Sequence, residues 1–241
     1  MNAIRPLHFC NVTVEGQLWP VYGWAIDGPN GTMLVDTGMI DSTPELDEEW
    51  GPVLLPWPDL GEVVAVINTH LHFDHAGGDT YIDPAGIVRA SFPNARYVVQ
   101  KGEHHWATHT NERTGASYFV RNWDPIIEAG RFDLIEGERE IVPGISVMLT
   151  PGHVPYHQSV LVDGGSEIAC FLGDVCPTAH HLPLPWIMGY DVEPLRTLES
   201  KRALFKRAED EKWLMVFEHD ATVPWGRVRH DGKSYGLDLT P

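Results

Sequence analysis

The stretch Thr69-His70-Leu71-His72-Phe73-Asp74-His75-Ala76-Gly77-Gly78 carries three imidazoles and a carboxylate at the spacing His-x-His-x-Asp-His. Imidazole and carboxylate together suit a borderline divalent cation such as Zn2+; Mn, Fe and Co also accept nitrogen and oxygen donors. The alternative is a polar, hydrogen-bonded loop, and a motif match alone does not exclude it. Further donors recur elsewhere in the chain: Asp36, His153, Asp174 and His219. Asp36 could equally be a turn-forming aspartate. His70, His72, Asp74, His75, His153, Asp174 and His219 supply enough donors for two metals. Three nitrogens would serve one metal, two nitrogens and a carboxylate the other, with one carboxylate between. Two ions about 3.5–4 Å apart can clamp a hydroxide.

Such donors need elements that bring them to one rim. Residues 63–67 form a β-branched run that reads as a buried strand ending just before the His/Asp cluster. Residues 4–14, 19–28 and 32–35 read as strands, the last two joined by turn chemistry at Gly28-Pro29-Asn30-Gly31 and ending at Asp36. Strands at 95–100, 145–150, 159–163, 168–172 and 213–217 follow. Those at 145–150, 168–172 and 213–217 end just before His153, Asp174 and His219, and side chains at strand ends can converge outside a sheet. Residues 40–61, with four prolines, read as a long surface excursion. Helices are predicted over 103–110, 118–129 and 193–210, the last with Leu195, Leu198, Leu204, Phe205 and Ala208 on one side. His104, His105 and His109 read as a solvated helix face, because nothing nearby completes a site. Residues 177–186 carry three prolines, which rules out regular helix or central strand. The chain should close with a hairpin over 227–237 turning at Asp231-Gly232.

Composition narrows the function. At 241 residues the chain is expected to be a single domain, 1–241. A formal charge of −17 repels nucleic acid over most of the surface. It reads as solubility plus a small neutral or apolar substrate. No apolar run is long enough to span a membrane. Met1-Asn2-Ala3-Ile4-Arg5-Pro6 has no apolar region of the signal-peptide kind. Cys10, Cys170 and Cys176 are odd in number and scattered, which suits a reducing compartment, so the expected location is the cytoplasm.

The motifs Thr-His-Leu-His-Phe-Asp-His-Ala-Gly-Gly (69–78), Leu-Val-Asp-Thr-Gly-Met (34–39), Thr-Pro-Gly-His (150–153), Gly-Asp (173–174) and Glu-His-Asp (218–220) resemble the metallo-β-lactamase superfamily, in the family's order, from residue 19 to about 230. Pro-Gly-His-Val-Pro-Tyr-His-Gln-Ser (151–159) is similar to the N-acyl homoserine lactone lactonase branch. The resemblance implies an α/β fold, a four-layer αββα sandwich with the site along one edge. It implies that His70, His72 and His153 hold a first metal, that Asp74, His75 and His219 hold a second, and that Asp174 bridges. Asp36 would orient a ligand histidine through its other ring nitrogen, and His157 would be structural. Where the lactonase branch has a substrate-contacting tyrosine, this chain has Pro177. His180, His181 or Tyr190 could take that role. The family often pairs, so a homodimer is consistent with the resemblance.

The expected chemistry is opening of a lactone or carboxylic ester by a metal-bridging hydroxide, with Asp74 passing a proton to the leaving alkoxide and Asp174 holding both metals. Phe73 and Trp186 are candidate apolar walls. The rival readings are a phosphotriester or aryl-ester hydrolase and a non-catalytic metal-binding sensor domain.

Overall fold

The computed structural model describes residues 3–238, so the first two residues of the N-terminal stretch discussed above lie outside the described residues. Its contacts divide the chain into two compact units that meet in sequence between Ile135 and Glu136.

The N-terminal unit contains β1 (Ala3–Val14), β2 (Gln17–Gly28), β3 (Gly31–Val35), α1 (Pro44–Trp50), β4 (Val53–Leu54), β5 (Val63–Ile67), α2 (Phe73–Ala76), β6 (Thr80–Ile82), β7 (Val88–Ala90), β8 (Arg96–Gln100), α3 (Lys101–Ala107), α4 (Asp124–Glu128) and β9 (Phe132–Ile135). Seven strands form one sheet in the order β4-β1-β2-β3-β5-β8-β9, and β6 and β7 pair separately. β1 to β3 form an antiparallel meander, with Gly28 opposite Gly31 at the tight turn. β3, β5, β8 and β9 run parallel. Strands buried on both faces need nearly continuous apolar sequence, and Val63-Val64-Ala65-Val66-Ile67 supplies it. The parallel arrangement brings the C-terminal ends of β3, β5 and β8 to one edge of the sheet, so Asp36, the 69–78 stretch and the start of α3 are neighbours there. Leu7, Phe9, Ala25, Leu34, Val66, Tyr97 and Ile126 form the core of this unit.

The C-terminal unit contains β10 (Arg139–Val142), β11 (Ile145–Leu149), β12 (Gln158–Asp163), β13 (Ile168–Phe171), α5 (Pro194–Glu211), β14 (Leu214–Val216), β15 (Trp225–His230) and β16 (Tyr235–Leu237). Its strands form one sheet in sequence order. β11 and β12 are antiparallel, β12 and β13 are antiparallel, and β13 and β14 are parallel. The ends of β11, β13 and β14 therefore lie on one edge, and they carry His153, Asp174 and His219. α5 buries Thr197, Lys201, Leu204, Phe205 and Ala208, one stripe at helical spacing. Leu204, Phe205 and Ala208 pack with Cys170, Leu172, Trp213, Met215 and Phe217. Burying Leu204 or Phe205 is worth roughly 1.5–3 kcal/mol each.

Several expectations change. Residues 40–61 are not all excursion: Thr43 caps α1 by accepting from Leu46 N–H, and Pro44 sits in the first turn, where its missing N–H costs nothing. The predicted helix over 118–129 is a tight turn at Val120–Asn122 followed by α4. Pro125 fits only the first turn of a helix, so α4 begins at Asp124 and not at 118, because proline in the interior would remove a backbone bond. Leu195 is 77% exposed: two residues before Thr197, it lies about 200° round the helix from it, on the face opposite the buried stripe. The β6/β7 pair has too few residues to show a sequence period. Among the described residues, no helix is long and apolar enough to cross a membrane.

Candidate metal centre

In the N-terminal unit the donors are set by Asp36. It sits in the left-handed region, with φ 54°, at the end of β3 and is fully buried. Its Oδ1 accepts from Thr69 N–H at 2.7 Å. Its Oδ2 accepts from Thr69 Oγ1 at 2.6 Å and faces His75 Nδ1 at 2.7 Å. An aspartate carboxylate only accepts, so His75 carries its proton on Nδ1 and turns Nε2 outward as a lone-pair donor. The same count fixes His70. Thr69 has one hydroxyl proton, committed to Asp36, so His70 Nδ1, 3.0 Å from Thr69 Oγ1, must be the donor there. His70 therefore also presents Nε2 as the basic nitrogen. The turn is held closed by Thr37 N–H to His75 O at 2.7 Å and Gly78 N–H to Gly38 O at 2.8 Å. A Cβ at Gly78 would meet Thr37 O at 2.3 Å, so the second glycine of the motif is required by close backbone approach.

The rings of His70 and His72 lie 4.4 Å apart, and those of His70 and His75 4.1 Å. Ligand atoms of His70 and His72 lie within 4.8 Å of each other, as do those of Asp74 and His75. Below them, buried Glu103 on α3 accepts from Leu71 N–H at 3.2 Å and from the Tyr118 hydroxyl at 2.8 Å. The Tyr118 ring meets the His72 ring at 4.7 Å. Burial, followed by the charge of Glu103, pushes the Tyr118 hydroxyl well above its usual range, so it stays a donor.

In the C-terminal unit Asp174 is the centre. One of its oxygens lies 3.1 Å from His153 Nε2 and the other 3.2 Å from His219 Nε2. His153 Nδ1 is held at 2.9 Å by Asp191, whose second oxygen accepts from Thr197 Oγ1 at 2.5 Å. Asp174 N–H donates to His157 Nε2 at 3.0 Å, and His157 Nδ1 meets Thr150 Oγ1 at 2.9 Å. Both ring nitrogens of His157 are thus used in holding the backbone at Asp174, as expected of a structural histidine. His219 N–H donates to Pro177 O at 3.1 Å. Pro177 is a buried backbone partner of a candidate ligand, not a substitute for a tyrosine.

Residues 177–192 form a strap over the edge of this sheet. Ala179 N–H donates to Asp220 at 2.9 Å, and Val192 N–H to His153 O at 3.1 Å. His180 is exposed on it, and His181 is half-buried with Nδ1 2.8 Å from Thr178 Oγ1. Burial, followed by the charge of Lys201, pushes the His181 imidazole below its usual value. Trp186 and Tyr190 are 58% and 51% exposed. Phe73 is a correction: it is buried with Cys10, Val12, Val21, Met39 and Leu46 and packs on Trp50, so it is core of the N-terminal unit. His105 on α3 and His109 just past its end are exposed, with tilted rings 4.2 Å apart, whereas His104 is a correction to the solvated-face reading: it is half-buried against Trp123 and Phe132.

Sequence reasoning missed Asp191, Thr69, Glu103 and Lys201. Asp191 is 38 residues from the histidine it holds, a separation with no sequence signature. Lys201 did carry one: a cation within the apolar stripe of a helix.

Comparison with known proteins decides the family. A model of the metallo-beta-lactamase superfamily matches residues 16–219. The chain belongs to that superfamily. It has the metallo-β-lactamase fold, the α/β class expected from the sequence. An N-acyl homoserine lactonase of Bacillus thuringiensis is 28% identical over 226 residues, covering 83% of this chain and 81% of the relative. A solved N-acyl homoserine lactone hydrolase, with the product N-hexanoyl-L-homoserine at its catalytic metal centre, is 26% identical with TM-score 0.69, covering 91% of this chain and 93% of that one. A probable metal-dependent hydrolase of Staphylococcus aureus shares the fold at TM-score 0.83 and 23% identity, covering 100% of this chain and 98% of that one. This member of the superfamily is a metal-dependent hydrolase related to lactonases, and its histidines and aspartates are candidate metal donors.

Proposed function

We propose that the protein is a binuclear-metal hydrolase, in the first instance a dizinc one, that opens a lactone or carboxylic ester. His70, His72 and His153 would hold one cation, Asp74, His75 and His219 the other, with Asp174 shared between them. The observation that carries two cations is the division of Asp174: one oxygen faces His153 Nε2 and the other faces His219 Nε2. A carboxylate serving a single ion has no need of that split. The donor set fits further because His70, His75 and His153 are each held through Nδ1, which turns Nε2 toward an ion.

Two such cations supply a water of lowered pKa and polarise a carbonyl oxygen. The residues do the rest. Asp36, Thr69 and Asp191 fix ring orientation, so no reorganisation is needed as charge develops. Asp74, with one oxygen 3.9 Å from His75 Nε2, has a second oxygen that would take the proton left on the attacking oxygen and hand it to the leaving alkoxide. His180, His181, Trp186 and Tyr190 on the strap are the candidate substrate contacts, and two exposed aromatics favour an apolar acyl group. The lactone rests on the relatives, which are N-acyl homoserine lactonases.

A single domain over 1–241 is supported by a family match that runs through both units. A cytoplasmic location is supported by three free, buried cysteines. The charge of −17 supports a protein that does not bind nucleic acid. A homodimer is the oligomer we expect, by analogy with paired family members, and sedimentation would test it.

The deciding experiment is turnover by metal-loaded protein of acyl homoserine lactones, simple lactones, aryl esters and a phosphotriester, with metal content measured on the same samples. Two equivalents of metal and a preference for lactones are expected. Preference for the phosphotriester over every lactone would overturn the substrate class. His70→Ala should lose metal and turnover together, and a metal-replete variant at the wild-type rate would refute the site.

A further inference from the structure

The most unusual group in the C-terminal unit is Lys201. It is fully buried in the middle of α5, on the stripe that otherwise carries Thr197, Leu204, Phe205 and Ala208. Its Nζ donates to three backbone carbonyls of the strap: Pro183 at 3.0 Å, Leu184 at 3.3 Å and Trp186 at 2.7 Å. Three acceptors match the three N–H bonds of an ammonium, and a neutral amine has only two. A buried cation is costly, and an apolar side chain of similar length would pack at less cost. What it does here is bind the carbonyls of Leu184 and Trp186, and share that of Pro183 with Trp186 N–H, in a segment where Pro183 and Pro185 have no N–H to build a ladder.

The place of these bonds matters. The strap leaves the candidate ligand Asp174, is pinned near its start by Asp220 to Ala179, and returns to the candidate ligand His153 through Asp191. Lys201 holds its middle, beside the exposed Trp186. The strap is therefore fixed at its start, its middle and its end.

We propose that Lys201 is a positioning residue for substrate recognition: its ammonium fixes residues 183–186, so that Trp186 and Tyr190 form a preformed aromatic seat for the acyl chain. This rests on the lactone or ester reading above. Preorganisation of this kind lowers the ordering cost of binding an apolar group. It should act on long acyl chains and leave the reacting centre alone.

The test uses the full-length, metal-loaded protein with Lys201→Met, Lys201→Arg and Trp186→Ala. Two readouts are needed: amide hydrogen exchange of residues 178–190, and kcat and KM for N-butanoyl and N-decanoyl homoserine lactone. In Lys201→Met, exchange across 178–190 should rise by about tenfold or more while β11 to β13 are unchanged. KM for the decanoyl substrate should rise about tenfold, with kcat and the butanoyl KM within about threefold. Lys201→Arg, which keeps charged donors, should recover part of both. Trp186→Ala should raise the decanoyl KM similarly, and combining it with Lys201→Met should add little. Unchanged exchange, or equal KM losses for both chain lengths, would overturn the proposal. If Lys201→Met does not fold, Trp186→Ala decides, and an unaltered decanoyl KM refutes the seat. A wild-type protein inert to all lactones refutes the substrate reading, while the exchange comparison still tests the anchor.

Discussion

At Asp36 a single carboxylate takes hydrogen bonds from Thr69 N–H, Thr69 Oγ1 and His75 Nδ1. Its left-handed backbone is tolerated by aspartate and asparagine better than by most residues. Asp36→Asn therefore keeps the turn and loses one acceptor oxygen, freeing either Thr69 or His75 to rotate. Metal affinity should fall about 10–100-fold, the usual cost of losing a residue that orients a ligand. Competition against a chromogenic chelator measures this, and an unchanged affinity would remove Asp36 from the site. Asp79 behaves differently. It is fully buried, and its Oδ1 accepts from Thr37 and Asn68. Burial pushes its carboxyl well above the usual aspartate range. The folded state then keeps a proton that the unfolded state has released, so stability falls as pH rises above about 4 and through the raised folded value, by up to about 1.4 kcal/mol per pH unit. Asp79→Asn removes that ionisation. Urea midpoints compared at several pH values should show the variant gaining on the wild type as pH rises. A difference that does not change with pH would mean Asp79 is not the group responsible.

Among the elements, the turn between β11 and β12 depends most on one residue. Gly152 has φ 142°, and a Cβ there would meet Thr197 N at 2.2 Å and Thr197 Oγ1 at 2.3 Å. Thr197 belongs to α5, and its hydroxyl also holds Asp191, which holds His153. Gly152→Ala must push the turn off the helix, at a cost of about 3 kcal/mol from overpacking and backbone strain, and it should weaken metal binding at the same time. Chemical denaturation and metal titration of one sample would check both, and full metal affinity in a destabilised variant would separate the turn from the centre. The same turn shows what sequence can and cannot disclose. Strand ends and the donors just past them were readable, because strand periodicity and Gly or Pro stops act over a few residues. Short elements such as β6 were not, because tertiary packing decides them; the late start of α4 did carry a local signal, Pro125, that the helix expected over 118–129 ran across. Asp191 and Lys201 act across 38 and 15 residues respectively, and only the folded chain brings them to their partners.

Over the whole molecule, 34 acidic side chains face 17 basic ones, giving −17. Asp36 in the N-terminal unit and Asp174 and Asp191 in the C-terminal unit are each buried beside histidines, and two divalent cations would offset four of the chain's charges. Stripping them should therefore destabilise the protein beyond the loss of ligand bonds. Salt can screen exposed charges but reaches buried carboxylates poorly. At about 100 times its dissociation constant, one cation adds about 2.7 kcal/mol, which in a chain of this size corresponds to roughly 5–10 °C in Tm. Chelation should lower Tm by at least that much, re-addition of metal should restore it, and raising sodium chloride alone should not. The same experiment tests whether donors come from both units. If His70, His72, Asp74 and His75 share ions with His153, Asp174 and His219, chelation must raise amide exchange in both 69–78 and 150–157. Loosening confined to one of these stretches would mean that one unit binds alone, and the binuclear assignment would fall even if the metal content were right.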